Sequence, residues 1–365
     1  MMNDLWTYLA NTAKPIVMYG MGNGADKILN VCDEKGIEIK DFFASDGFVR
    51  GHSFHGKRVL SYTETKEKYG VGNFIVLLSF ASSLPDVIEN IRKIAAESEL
   101  YAPDVPVCGS ELFDAEFYEA RKSEIAAARE LLGDEQSKLV YDNVIEYKLS
   151  GRIDHLINCN TLPDEAYHDL LHAEDFEITA DLGAYNGDTV RELAAYAPTL
   201  KKVIAFEPDR RNFRKLSEYA EAEERFEVIP FKLAAWSKEE LLIFGDEGNR
   251  NSGVGTTPVN AKTAKITEVD ADSLDDIVSE NGIRRLDYIK YDVEGSEEEA
   301  LIGSQNSIRA FNPALLVSVY HRSEDIFKLP LMIAREFPNY RLYLRKFRYI
   351  PAWDLNLYAI PNNTL

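Results

Sequence analysis

A strand that ends in an acid, followed by a glycine-bearing loop and then a helix, constrains this chain more than any other feature. The stretch is Asp181-Leu-Gly-Ala-Tyr-Asn-Gly-Asp-Thr189, preceded by the β-type run Phe176-Glu-Ile-Thr-Ala180 and followed by the helical run Val190-Arg-Glu-Leu-Ala-Ala-Tyr196. Gly183 and Gly187 let the backbone approach a ligand at the carboxyl edge of a parallel sheet, as in nucleotide-type cofactor sites. A second strand, Val203-Ile-Ala-Phe-Glu-Pro208, ends in Glu207, whose carboxylate is suited to accept both hydroxyls of a ribose. A third, Leu286-Asp-Tyr-Ile-Lys-Tyr-Asp-Val-Glu-Gly295, ends in Asp292 and Glu294.

These acid-terminated strands, with Ala205-Phe-Glu-Pro-Asp209, Asn212, Phe213, the stretch 270–275, Ile289-Lys-Tyr-Asp-Val-Glu-Gly-Ser-Glu297, Val317-Ser-Val-Tyr-His321 and Leu357-Tyr-Ala-Ile-Pro361, resemble the FkbM-type S-adenosylmethionine-dependent methyltransferases over residues 176–365. Asn186 departs from the family's apolar residue at its position. The resemblance implies S-adenosylmethionine as cofactor and an O-methyltransferase acting on a hydroxyl of a sugar, a glycan precursor or a secondary metabolite. It implies a class I, Rossmann-like methyltransferase sheet closed by an antiparallel edge hairpin. It assigns cofactor contacts to Asp181, Gly183, Ala184, Gly187, Asp188, Glu207, Pro208, Ala235, Trp236 and Asp292. Trp236 packs on the adenine or belongs to the core, and both readings stay open. Catalytic roles fall to Asp292, which holds the cofactor or polarises the acceptor hydroxyl, to Glu294, which orients the substrate or caps the helix from Gly295, and to His321, a general base or a partner of a neighbouring loop. Lys290 alternates with Asp292 along its strand and so shares its face, or it pairs within the sheet end. His321, Asp292 and Glu294 could instead hold a divalent ion, but their spacing carries no metal signature, so no metal is expected.

Upstream, strand and helix signals alternate over residues 1–110, which marks a smaller Rossmann-like α/β domain. Its loop Gly20-Met-Gly-Asn-Gly24 resembles the nucleotide-binding turn of front domains in sugar acyltransferases, with Asp46 where a ribose-binding acid belongs. A fold that binds nothing explains the loop equally. Residues 111–175 read as a helical connector over 117–132 and 136–149, packed on the C-terminal domain and serving as a lid or a dimer contact. The methyltransferase domain then spans 176–365, with strands over 177–182, 202–207, 226–231, 286–292, 314–320, 340–345 and 355–360. A polar insertion at 246–253 falls near the expected site mouth.

A net charge of −20 argues against a nucleic-acid partner or an anionic membrane surface. The local cluster Arg341, Arg345, Lys346 and Arg348 faces an anionic substrate or forms a solvated strand edge. Cys32, Cys108 and Cys159 lack metal spacing and suit a reducing compartment. No apolar run approaches membrane-spanning length and no secretory signal opens the chain, so a cytoplasmic enzyme with a small-molecule acceptor is expected, with a homodimer left open. The alternatives are a nucleotide-sugar protein or oxidoreductase working through the N-terminal loop, and a scaffold that binds S-adenosylmethionine without turnover. The absence of a Tyr-x-x-x-Lys pair counts against the oxidoreductase, and the intact acids count against the scaffold.

Overall fold

The computed structural model of the chain describes residues 4–49, 51–246 and 265–362. Two parallel-rich sheets organise it. The front sheet has the order Leu60–Ser61, Ile39–Ala44, Ile16–Tyr19, Ile75–Leu78, Glu99–Tyr101, all parallel. Ile16–Tyr19 and Ile75–Leu78 are buried at every position, which is why they read as continuous apolar runs rather than alternating ones. The helices between these strands start where the sequence offers caps. Ser61 and Glu64 form a reciprocal capping box ahead of Tyr62–Tyr69, and Pro85 opens Pro85–Glu97.

The second sheet has seven strands in the order Glu227–Phe231, Lys202–Phe206, Ile178–Leu182, Tyr288–Tyr291, Ala314–Ser318, Leu355–Pro361, Tyr340–Lys346. The first five are parallel; the last two form the expected antiparallel edge. The chain leaves Ile178–Leu182 in one direction and returns to its other side as Tyr288–Tyr291. This reversal opens a crevice beyond Leu182 and Tyr291, where ligands bind in sheets of this kind.

The connector helices are Ala115–Glu130 and Glu135–Ser150. The first packs on the helix Asp325–Glu336 and the second on the edge strand Tyr340–Lys346. They therefore cover the sheet, and neither contributes a residue lining the main cavity. One apolar cluster runs from Val17 and Val76 of the front sheet through Val140 and Tyr147 of the connector to Leu315 and Leu355 of the second sheet.

Two expectations are corrected here. Arg345 and Lys346 are not a solvated edge, nor do they face a substrate. Arg345 is buried, with Nη2 donating to Asp134 Oδ2 at 2.7 Å and Nη1 to Ser137 Oγ at 2.8 Å. Lys346 is buried, and its ammonium donates to Asn160 Oδ1 and to the carbonyls of Phe347 and Tyr349. Burial pushes its pKa down to about 8. Second, the segment after Phe231 carries a further three-stranded sheet, ordered Ala234–Ala235, Lys265–Asp272, Glu240–Asp246. The polar insertion expected at 246–253 lies, apart from Asp246, outside the described residues.

Candidate active site

The crevice at the strand reversal is a cavity of ≈ 370 Å³. Its floor is set by backbone packing. Gly183 has φ +95°, and a Cβ there would stand 1.9 Å from the Asp292 carbonyl oxygen. Only glycine admits this approach of the two strand ends, which are also joined by Asp292 N donating to the Leu182 carbonyl at 3.0 Å. Gly187, at φ +82°, is held just as tightly, its missing Cβ pointing 2.5 Å from the Tyr219 ring. The glycines thus serve strand and helix packing first, and only Gly183 also borders the cavity.

Of the cofactor residues expected from sequence, Gly183, Asp188, Glu207, Pro208, Ala235 and Asp292 line the cavity; Asp181, Ala184, Gly187 and Trp236 do not. Asp181 is buried and committed elsewhere. It receives the Thr189 hydroxyl at 2.5 Å and lies 3.2 Å from Lys290 Nζ. Trp236, partly buried, packs on the small cluster of Ala234, Val269 and Ala271, which supports its reading as core. Glu207 sits where the second strand ends. Its Oε1 accepts from Asp209 N at 2.8 Å, and burial pushes its pKa up to about 8 against that hydrogen bond.

Past the third strand, Asp292 and Glu294 both reach the cavity. Asp292 lies 3.5 Å from Lys290 Nζ and accepts from the Tyr320 hydroxyl at 3.1 Å. Burial resists its charge, yet Lys290 and His321 hold its pKa below the usual carboxylate value. Glu294 has a left-handed backbone, φ +51°, which turns its side chain back towards His321 Nε2 at 3.5 Å. Burial pushes its pKa to about 7. Lys290 does share a face with Asp292, as strand alternation required, and it bridges Asp181 and Asp292.

His321 is where sequence reasoning went wrong. It is fully buried and does not line the cavity. Its Nδ1 is 2.8 Å from Glu297 Oε1, and its Nε2 is 3.5 Å from both Asp292 Oδ1 and Glu294 Oε2. Burial works against its charge, but these three carboxylates outweigh it and raise the pKa to about 10. Its place behind the cavity wall, among carboxylates that raise its pKa, counts against the general-base reading. The reading that it bonds a neighbouring loop is nearer, since its carbonyl receives Cys108 N at 2.9 Å.

Among the cavity residues missed from sequence are Glu192, Tyr320, Trp353 and Asp354. Glu192 lies one helical turn beyond Asp188, so the i, i+4 spacing signalled a shared face. Trp353 and Asp354 come from the loop before the last strand, for which no local pattern exists.

In the front domain Gly20 and Gly24 are likewise explained by packing, whereas Gly22, at φ +104°, has open space around it. A Cβ at Gly24 would lie 2.4 Å from the Ser79 carbonyl oxygen, and one at Gly20 would lie 2.6 Å from the Phe80 ring. Asp46 does not face a ligand; it accepts from Thr63 N at 2.9 Å and Thr63 Oγ1 at 2.8 Å, anchoring the helix Tyr62–Tyr69.

Residues 181–351 match the family model described as the methyltransferase FkbM domain. The chain carries an FkbM methyltransferase domain. Its activity class is accordingly S-adenosylmethionine-dependent methyl transfer. The cavity's residues fit that cofactor: Asp188, Glu192, Glu207, Asp209, Asp292 and Glu294 of the matched domain and Asp354 just beyond it line the cavity, and no lysine or arginine does among the described residues. Such a wall favours a molecule bearing a sulfonium and an ammonium. In fold, the chain is similar to methyltransferase FkbM from Methylobacillus flagellatus, with TM-score 0.69, 19% identity, and coverage of 95% of this chain and 90% of that one. An rRNA methylase from Streptococcus thermophilus (TM-score 0.35, 14% identity, 55% of this chain and 97% of that one) and Aeropyrum pernix fibrillarin (TM-score 0.32, 14% identity, 51% and 66%) are too distant to bear on the site. No curated protein matches the chain in sequence. No helix among the described residues is long and apolar enough to cross a membrane.

Proposed function

We propose that the chain is an O-methyltransferase acting on a hydroxyl of an uncharged acceptor, a sugar unit of a glycan precursor or of a secondary metabolite. The observation that carries this is the cavity wall of seven carboxylates with no facing cation among the described residues. A phosphorylated or nucleotide-linked acceptor would find no cation there and would meet the charge of Asp292, whereas a polyol finds acceptors for its hydroxyls. Glu207 takes the ribose hydroxyls of the cofactor. Gly183 and the start of the helix Asp188–Tyr196 border its amino-acid end, and Ala235 borders its base. Asp181 stands behind this wall and fixes it through Thr189 and Lys290.

The cofactor arrives activated, so the protein's task is to align the acceptor oxygen and take its proton. Asp292 and Glu294 stand on the acceptor side. Asp292, held charged beside Lys290, orients the hydroxyl. Glu294, with a pKa near 7, has the balance of basicity that proton acceptance at neutral pH requires. Glu294→Gln should therefore lower turnover by a factor of roughly 100 while changing cofactor affinity little. The acceptor class is tested with labelled S-adenosylmethionine and matched pairs of methyl glycosides and their sugar phosphates. Transfer to the neutral member, at least about tenfold preferred, is expected. Preference for the phosphates would refute the reading.

A further inference from the structure

Behind the cavity floor, three elements bring ligating atoms to one place. Asp292 follows the strand Tyr288–Tyr291, Glu297 opens the helix Glu297–Ile302, and His321 lies just past the strand Ala314–Ser318. One ligand atom from each lies within 4.8 Å of the others. His321 is 0% exposed and Glu297 1%. Neither nitrogen of the imidazole has an aligned hydrogen-bond partner, although carboxylates surround it. The 2.8 Å approach of Nδ1 to Glu297 is short but out of line. Glu297 Oε2 and Glu294 Oε2 are also buried without a hydrogen bond. Buried polar atoms are ordinarily satisfied, so several unsatisfied ones converging on one point call for a partner of another kind.

We propose that Asp292, Glu297 and His321 form a divalent-cation site at the floor of the methyltransferase cavity, with Glu294 beside it. Two carboxylates and one imidazole, which gives up its extra proton as the ion binds, are a hard, oxygen-rich set that suits Mg²⁺ or Mn²⁺. Ligands about 2.1–2.2 Å from such an ion stand roughly 3–4.4 Å apart, so the observed grouping needs to close by only a few tenths of an ångström. Asp292 also borders the cavity. An ion held there would polarise the acceptor hydroxyl as a Lewis acid; Glu294 would receive its proton, the oxygen would bond the methyl carbon, and the carbon–sulfur bond of the sulfonium would break to release S-adenosylhomocysteine.

The test uses the full chain, stripped with a chelator and titrated with Mn²⁺, free Mn²⁺ being read by electron paramagnetic resonance. One ion per chain, displaced by Mg²⁺, is expected. Glu297→Gln and, separately, His321→Gln should weaken it at least about tenfold, as loss of one of three protein ligands does. Glu192→Gln, in the same cavity but outside the cluster, should leave the Mn²⁺ affinity unchanged. Absence of stoichiometric binding by the unmodified chain would overturn the proposal, and that titration requires no variant to fold. Equal weakening by Glu192→Gln and Glu297→Gln would overturn it too. S-adenosylmethionine binding measured on the stripped chain separates the two readings, because its loss bears on the methyltransferase site and not on the ion.

Discussion

Glu207 shows how one carboxylate can be read correctly from sequence and still surprise in its electrostatics. Its place at a strand end was legible from Phe206-Glu-Pro208; its depth was not, because burial depends on Tyr185 and Asp209 folding over it. With a pKa of about 8 in the ligand-free protein, it is largely protonated at pH 7. Ribose hydroxyls donate to the ionised form, so cofactor binding lowers the pKa and releases a proton. Affinity should therefore rise with pH up to about 8 and level off above it. Calorimetry in buffers of different ionisation enthalpy checks this. Glu207→Gln should weaken binding by about 1–3 kcal/mol and remove that pH dependence. An unchanged slope in the variant would assign the proton elsewhere. His321 is the contrasting case. A histidine after a strand looks the same in sequence whether it faces a substrate or is walled in by Glu297, and only the packing of the helix Glu297–Ile302 decides.

Elements were more legible than side chains. Strands buried on both faces, such as Ile178–Leu182 and Ala314–Ser318, announce themselves as short apolar runs between turns. The connector helices announced themselves by period and by their acidic caps, Asp114 and Asp134. Hidden from view was the second use of such a cap. Asp134 accepts from Ser137 N and also pairs with the buried Arg345, 211 positions away. Asp134→Ala should destabilise the chain by about 2–3 kcal/mol, since it removes a helix cap and strands a buried guanidinium whose partner is itself half-exposed. Urea unfolding measures it, and a loss below about 1 kcal/mol would mean that Glu165, 3.1 Å from Arg345, compensates. The glycine loop carried a different lesson. Gly183→Ala should be far more damaging than its exposure suggests, because Cβ would overlap the Asp292 carbonyl. Loss of cooperative unfolding, or of both cofactor binding and stability together, is the expected outcome. A stable variant with weak binding only would show that the glycine serves the ligand rather than the packing. The three-stranded sheet after Phe231 escaped notice although Lys265–Asp272 alternates in character, because the polar stretch before it reads as one long loop.

At the scale of the whole molecule, two nucleotide-type sheets stand in series, and the sequence offered both as binding sites. Their linings separate them. In the front sheet, Gly20 and Gly24 pack against Phe80 and Ser79, Asp46 is spent on a helix start, and the smaller cavity beside the loop, ≈ 180 Å³, is lined by Met21, Gly24 and Lys27; in the second, acids reach the cavity at the strand reversal. The cavity draws on residues as distant as Ser83, Glu207 and Asp354, so no local motif could have specified it. The whole chain, and not its second half alone, is similar in fold to methyltransferase FkbM from Methylobacillus flagellatus. The most direct test of the central claim is a pair of calorimetric titrations of the full chain, one with S-adenosylmethionine and one with NAD. The account requires one S-adenosylmethionine per chain, weakened by Glu207→Gln, and no NAD binding. NAD bound tightly with no S-adenosylmethionine signal would contradict it.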